Sequence, residues 1–251
     1  MSNLIIIQAR LSSTRLPGKV LKRVYGDKTL LDIQIEKVRR LNLPFVLATT
    51  TNEADDPLVS WGDANDVNVF RGAEDNVLQR FIDCAEEYDA KHLIRICSDN
   101  PFLQLDEVVS YFDELSNGID YISYCNAAGT AAIKTHWGLF VEGVSLEALK
   151  RTANILINTD EAMFYSEHVT NYIYAHPEVF NVALRTAPSV ISRRDDLRFT
   201  IDTEEDLLNA QYLLNRLGRA HDISILDLVK EVDANKKLHE SMLIGINSFT
   251  K

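Results

Sequence analysis

Three cations, Arg10, Arg15 and Lys19, share the stretch LIIIQARLSSTRLPGKVL with the hydroxyls of Ser12, Ser13 and Thr14. A loop of this kind suits an anion such as a phosphate, because its N–H groups and hydroxyls donate hydrogen bonds while the cations supply charge. Asp99 and Asp202 form a second set, each directly after a predicted strand. Two strand-end carboxylates facing a basic loop suit a hard cation: Mg²⁺ is usually held by one or two protein carboxylates together with substrate phosphates. Taken singly, each feature has a plainer reading. The loop is then an ordinary first turn, Asp99 an Asx turn or helix cap ahead of Pro101, and Asp202 a cap on the next helix. Arg71, Asp75 and Arg80 surround a further loop and helix start, where a base-edge or phosphate contact competes with surface ion pairing. His168, next to Glu167, reads as a helix residue packed on Tyr165 and Tyr172. No GxGxxG, P-loop, HExxH, GxSxG or EF-hand pattern occurs.

The elements that must position these groups alternate. Leu4 to Ile7 reads as a buried strand, Thr29 to Leu41 as a helix, Phe45 to Thr50 as a strand, and Asp56-Pro57 as a helix start. Val67 to Phe70 follows as a strand, the stripe from Val77 to Tyr88 as a helix, His92 to Cys97 as a strand, Leu105 to Leu115 as a helix, and Asp120 to Tyr124 as a strand. That order predicts an α/β fold with a mostly parallel central sheet and flanking helices. Ligands in such sheets sit at the carboxyl ends of strands, so 10–19, 49–56, 71–76 and 98–102 are the loops expected to line a site.

Beyond Asn126 the rhythm breaks. Residues 126–138 read as an irregular excursion, Gly138 to Gly143 as a strand, Ser145 as the cap of a short helix, and Tyr165 to Ala175 as one helix. Phe180 to Thr186 and Leu197 to Ile201 read as strands. Thr203 and Asp206 form a capping box, and a helix from about Ser224 to Val232 closes the chain. We expect a single nucleotide-handling domain over 1–251: a binding half over 1–125, an irregular acceptor or dimerisation segment over 126–190, and closing elements over 191–251.

A formal charge of −11 argues against nucleic acid as a partner, which needs a broad basic face, and leaves a small anionic ligand open. Cys84, Cys97 and Cys125 show no CxxC spacing and read as reduced thiols. No apolar run is long enough to span a bilayer, so a soluble cytoplasmic chain without a membrane partner is expected.

Taken together, IIIQARLSSTRLPGKVL, VFRGAEDNVLQRF, RICSDNPF, YSEHVTNYIYAHPEVF and LRFTIDTEEDL resemble cytidylyltransferase family 3, within it the SpsF-like branch related to acylneuraminate and CMP-KDO cytidylyltransferases. The resemblance runs through nearly the whole chain in order. It implies a Rossmann-like nucleotide-diphospho-sugar transferase fold, a homodimer, and transfer of CMP from CTP to a small acidic sugar (a nonulosonic acid or KDO-like) with release of pyrophosphate, for cell-surface polysaccharide synthesis. It also implies a catalytic set of Arg10, Lys19, Asp99 and Asp202, and a nucleotide-holding set of Ala9, Arg10, Ser12, Ser13, Lys19, Arg71 and Ser98. Mg²⁺ is implied on Asp99 and Asp202. Two positions depart from the pattern: Gln8 stands where the sugar-acid enzymes have proline, and Ser98-Asp99-Asn100 replaces a Gly-Asp pair. A glycosyltransferase on the same fold, and a nucleotide-binding protein without catalysis, are the competing readings.

Overall fold

The computed structural model describes residues 2–157, 159–218 and 223–248. Strand β1 (Asn3–Gln8) is buried on both faces, as its run of apolar residues requires of a central parallel strand. The loop after it ends at Gly18, whose φ of 67° is left-handed, and a single 3₁₀ turn carries Lys19. A small hairpin that the sequence pattern does not signal, β2 (Arg23–Tyr25) and β3 (Lys28–Thr29), leads into α1 (Leu30–Arg39). Thr29 caps α1 in a reciprocal box with Asp32. Next come β4 (Phe45–Thr50), α2 (Asp56–Asn65), β5 (Val69–Gly72), α3 (Val77–Glu87), β6 (His92–Cys97), α4 (Val108–Ser116) and β7 (Tyr121–Cys125). The second part of the chain supplies β8 (Glu142–Ser145), α5 (Leu146–Leu156), α6 (Ala162–Glu167), α7 (Asn171–Ala175), β9 (Val182–Thr186), α8 (Glu204–Leu217), α9 (Ile225–Ala234) and α10 (Lys236–Ser248).

Seven strands form one sheet in the order β5-β4-β1-β6-β8-β7-β9, parallel throughout except for β8, which runs against both neighbours. The chain winds outward from β1 through β4 to β5, then returns to lay β6 on the other side of β1. Strand order therefore reverses between β1 and β6. The loops leaving these two strands diverge, opening the crevice where ligands bind in sheets of this type. Gln8 is paired with Cys97, so Ala9 and Ser98 leave the sheet level with each other. Helices α1, α2 and α4 pack on one face, and α3, α5, α6 and α7 on the other. A third cluster joins α8, α9 and α10 to Leu16, Val24, Phe102 and Trp137, which brings the end of the chain against the loop after β1.

Several expectations are corrected. Leu197 to Ile201 is extended but is not a strand. Leu197, Phe199 and Ile201 are buried, as are Arg198 and Thr200 between them, yet the backbone bonds go singly to loops, from Phe199 N–H to the His136 carbonyl (2.9 Å) and from Ile201 N–H to the Asp99 carbonyl (2.9 Å). The helix expected over Tyr165 to Ala175 breaks into α6 and α7, because Val169 and Thr170 turn inward and the Thr170 hydroxyl donates to Glu142 (2.7 Å). His168, at that break, meets the Phe164 ring (4.8 Å). The strand expected over Gly138 to Gly143 lies at Glu142–Ser145, and α4 starts at Val108 rather than near Leu105. The chain closes on α10, whose Leu238 and Met242 fill the last cluster, not on α9. No helix among the described residues is long and apolar enough to cross a membrane.

Candidate functional site

Lys19 is where the crevice is made. Its ammonium donates to the Ile201 carbonyl (2.7 Å) and lies 3.0 Å from Asp202 Oδ1 and 3.3 Å from Asp99 Oδ2. Three separate segments thus meet on one nitrogen: the turn after β1, the loop after β6, and the extended run before α8. Burial alone would push the Lys19 pKa down, but the charges of Asp99 and Asp202 outweigh it and hold the amine above its ordinary value. The Arg15 guanidinium adds a second cation 3.2 Å from Asp202 Oδ1.

The loop that delivers Lys19 is pinned. Gly18 N–H donates back to the Leu11 carbonyl (3.0 Å), Leu16 is buried, and Leu11 N–H donates to Asp55 Oδ1 (2.7 Å). Asp55 is itself buried and accepts the Thr50 hydroxyl at the end of β4 (2.5 Å). From α1, Gln34 donates to the Cys97 and Asn100 carbonyls, and Lys37 to those of Pro101 and Leu103. Those four bonds hold the loop that carries Asp99, satisfying carbonyls that would otherwise be buried without partners.

Asp202 is held from behind by Arg198. This almost wholly buried guanidinium donates through Nη2 to Asp202 Oδ2 (3.0 Å) and through Nε and Nη2 to both oxygens of Asp206 (2.7 and 2.8 Å). Its Nη1 meets His136 Nδ1 at 2.5 Å. Asp206 in turn accepts the N–H groups of Asp202 and Thr203, so the start of α8, the carboxylate and the guanidinium form one unit. Arg198 was not among the residues expected from the sequence. Its signal is the alternation Arg198, Thr200, Asp202, which puts all three on one side of an extended chain.

Other expected residues lie elsewhere along the same edge. Ala9 is buried just beyond β1, its N–H bonded to the Ala48 carbonyl (3.1 Å), and Ser98 is buried with its N–H on the Gln8 carbonyl (3.2 Å). Ser12 is exposed and Ser13 half-buried in the loop. Arg10 does not join Lys19. It leans over the other face, 3.7 Å from Glu167. Arg71 sits two strands from β1, its guanidinium bonded to the Thr50 and Asn52 carbonyls and paired with Asp56 (2.8 Å).

As a metal site, Asp99 and Asp202 offer hard oxygens near enough to share one cation, and the Lys19 ammonium is the cation they share here. Among the described residues, no group of three or more acidic, His or Cys side chains is arranged so as to hold a metal ion. Two carboxylates fit Mg²⁺ that also takes phosphate and water, and do not fit an all-protein cage.

Comparison with known proteins identifies the family and the fold. The family model described as cytidylyltransferase matches residues 4–243. The spore coat polysaccharide biosynthesis protein SpsF of Bacillus subtilis is 37% identical over 244 residues, covering 92% of this chain and 94% of its own. Among solved structures, a cytidylyltransferase from Leptospira borgpetersenii superposes with a TM-score of 0.79 at 26% identity, covering 95% of this chain and 96% of that one. A CMP:2-keto-3-deoxy-manno-octonic acid synthetase complexed with CTP shares the fold at 14% identity, with a TM-score of 0.58 over 86% of this chain and all of that one. The fold is that of the Rossmann-like nucleotide-diphospho-sugar transferases, and the chain belongs to the cytidylyltransferase family.

Proposed function

We propose that the protein transfers CMP from CTP to an acidic sugar, a nonulosonic or KDO-like acid, releasing pyrophosphate, and that it serves cell-surface polysaccharide synthesis. The observation that carries this reading is the meeting of Lys19, Arg15, Asp99 and Asp202 at the mouth of the β1/β6 crevice. Cations come from one wall and metal-ligating oxygens from the other, as a triphosphate with a divalent ion requires. The names of two relatives add support, one acting in spore coat polysaccharide biosynthesis and one a CMP-sugar-acid synthetase complexed with CTP.

In this reading an acceptor hydroxyl oxygen bonds to the α-phosphorus of CTP while the bond from that phosphorus to the bridging oxygen breaks. The electron pair leaves on pyrophosphate, and the proton of the acceptor hydroxyl passes to solvent. Lys19 and Arg15 neutralise the charge that moves onto the leaving group, and Arg10, Ser12 and Ser13 hold the triphosphate chain against the loop. Ala9, Arg71 and Ser98 border the nucleotide. Asp99 and Asp202 would hold Mg²⁺, which when bound supplies Lewis-acid stabilisation of the phosphate oxygens. Arg198 holds Asp202 in place from behind.

The enzyme works as a homodimer in the cytoplasm. The exposed apolar side chains of Ile157, Met163 and Phe164 around α6 favour an interface there, and Cys84, Cys97 and Cys125, none of which is in a disulfide, suit a reducing compartment. Pyrophosphate release from CTP across a panel of sugar acids, with and without Mg²⁺, tests the activity. Turnover abolished by Asp99→Ala or Asp202→Ala is expected. No release with any acid, or transfer from a nucleotide sugar with CTP inert, overturns it.

A further inference from the structure

Arg80 is completely buried on α3, one turn into the helix. Its Nη1 donates to the Ala73 carbonyl (2.9 Å), while Nε and Nη2 have no partner. Its stem lies against the end of β5: a Cβ at Gly72 would stand 2.8 Å from Arg80 Cγ, so the absence of a side chain there lets the arginine lie flat. The guanidinium is thereby set at the carboxyl edge of the sheet, the edge from which Ala9, Arg10 and Asp99 also emerge.

No carboxylate closes this group. Asp55 and Glu74 contribute charge nearby, but the oxygens of Asp55 are taken by Leu11 N–H and the Thr50 hydroxyl, and Glu74 accepts from Asn52. Arg95, buried across the same face, is bonded to Glu142 (2.5 Å) and Gln8, and Arg10 leans on Glu167. Burial, with the charges of Arg10 and Arg95, pushes the Arg80 pKa down to about 10. A buried cation beside two others, with two donor atoms left unpartnered, is unfavourable unless something anionic arrives. Two parallel N–H donors match the paired oxygens of a carboxylate or phosphate, and the match is bidentate.

We infer that the Nε–Nη2 edge of Arg80 receives an oxyanion of a bound substrate, making Arg80 a ligand-binding residue separate from the Lys19 centre. This rests on the nucleotidyl-transfer reading. The oxyanion belongs either to the triphosphate or to the carboxylate of the acceptor.

Arg80→Met in the full chain removes the donors and keeps the stem, and Arg80→Lys keeps the charge without the fork. Binding of CTP, CMP and 2-keto-3-deoxy-manno-octonic acid is measured for each by calorimetry, with thermal unfolding alongside. Arg80→Met is expected to weaken either CTP or the sugar acid by between ~10- and ~100-fold, with unfolding unchanged or later, and Arg80→Lys to restore part of the loss. Loss on CTP but not CMP identifies the β- or γ-phosphate, and loss on the acid alone identifies the acceptor carboxylate. Equal affinities in variant and wild type overturn the Arg80 inference and leave the proposed function standing. A variant that only ceases to distinguish CTP from UTP overturns the oxyanion in favour of a base contact. A wild-type protein that binds neither CTP nor the acid overturns both. Should Arg80→Met not fold, Arg80→Lys carries the same comparison.

Discussion

Arg198 and Arg80 are both essentially buried guanidiniums at the carboxyl edge of one sheet, and they are opposites in what they bond. Arg198 has two carboxylates and a histidine nitrogen, while Arg80 has one backbone carbonyl. Burial alone therefore does not tell what an arginine does. Where the protein supplies the anions, the group is scaffold, and its role is to aim Asp202. Where it withholds them, the group is held ready for a ligand. Arg95, closed by Glu142 with Tyr121 and Thr170 on the same carboxylate, is of the first kind.

That contrast can be broken from either side. The largest effect is expected at the charges Arg198 organises: Lys19→Met and Asp202→Asn should each lower kcat/KM by roughly 10²- to 10³-fold in a pyrophosphate-release assay, with the fold intact by circular dichroism. Arg198→Met should lower unfolding free energy by about 3–5 kcal/mol in urea titration, since it takes the buried guanidinium away from both Asp202 and Asp206. Unchanged stability there would remove the scaffold role. Arg80→Met should do the reverse, leaving stability equal or raising it by about 1 kcal/mol, because an unpaired buried charge is lost. A loss as large as that of Arg198→Met would make the two arginines alike.

Smaller effects sharpen the picture. Thr203→Ala breaks the capping box that orients Asp206 beneath Arg198 and should cost about 1 kcal/mol in the same titration. Arg194, partly exposed, is the solvent-side counterpart of Arg198: it holds Asp196, and its hydrogen bonds outweigh burial to keep that carboxyl below its ordinary pKa of 3.8. A depressed carboxyl pKa stabilises the fold above the unfolded value, and that stability disappears as pH falls below 3.8. Screening limits the contribution to less than about 1 kcal/mol. Asp196→Asn should therefore flatten the acid limb of a stability-against-pH curve only slightly, and a large shift would show that exposed pairs here behave like buried ones.

The first half of the chain was legible because its elements announce themselves locally. Apolar runs such as LIII and the helical stripe from Val77 to Tyr88 have one good solution each, and alternation then forces a parallel sheet with its site at the carboxyl edge. Beyond Asn126 the local signals mislead. The apolar alternation of Leu197, Phe199 and Ile201 is satisfied by loops instead of a strand, and the inward pull of Glu142 on Thr170 breaks a helix that periodicity alone would continue.

By itself the sequence determined the chemistry available: the cations of the loop after β1, the two aspartates, and the strand ends on which they ride. Only the tertiary structure decided which of these meet. Strand reversal between β1 and β6 and the packing of α8, α9 and α10 over Leu16 put Lys19 against Asp99 and Asp202, while Arg10 was drawn to the other face toward Glu167. Those pairings join residues far apart along the chain. Local propensity carries no information about them, because it is the burial of apolar faces that selects the neighbours and leaves Arg80 with its open donors.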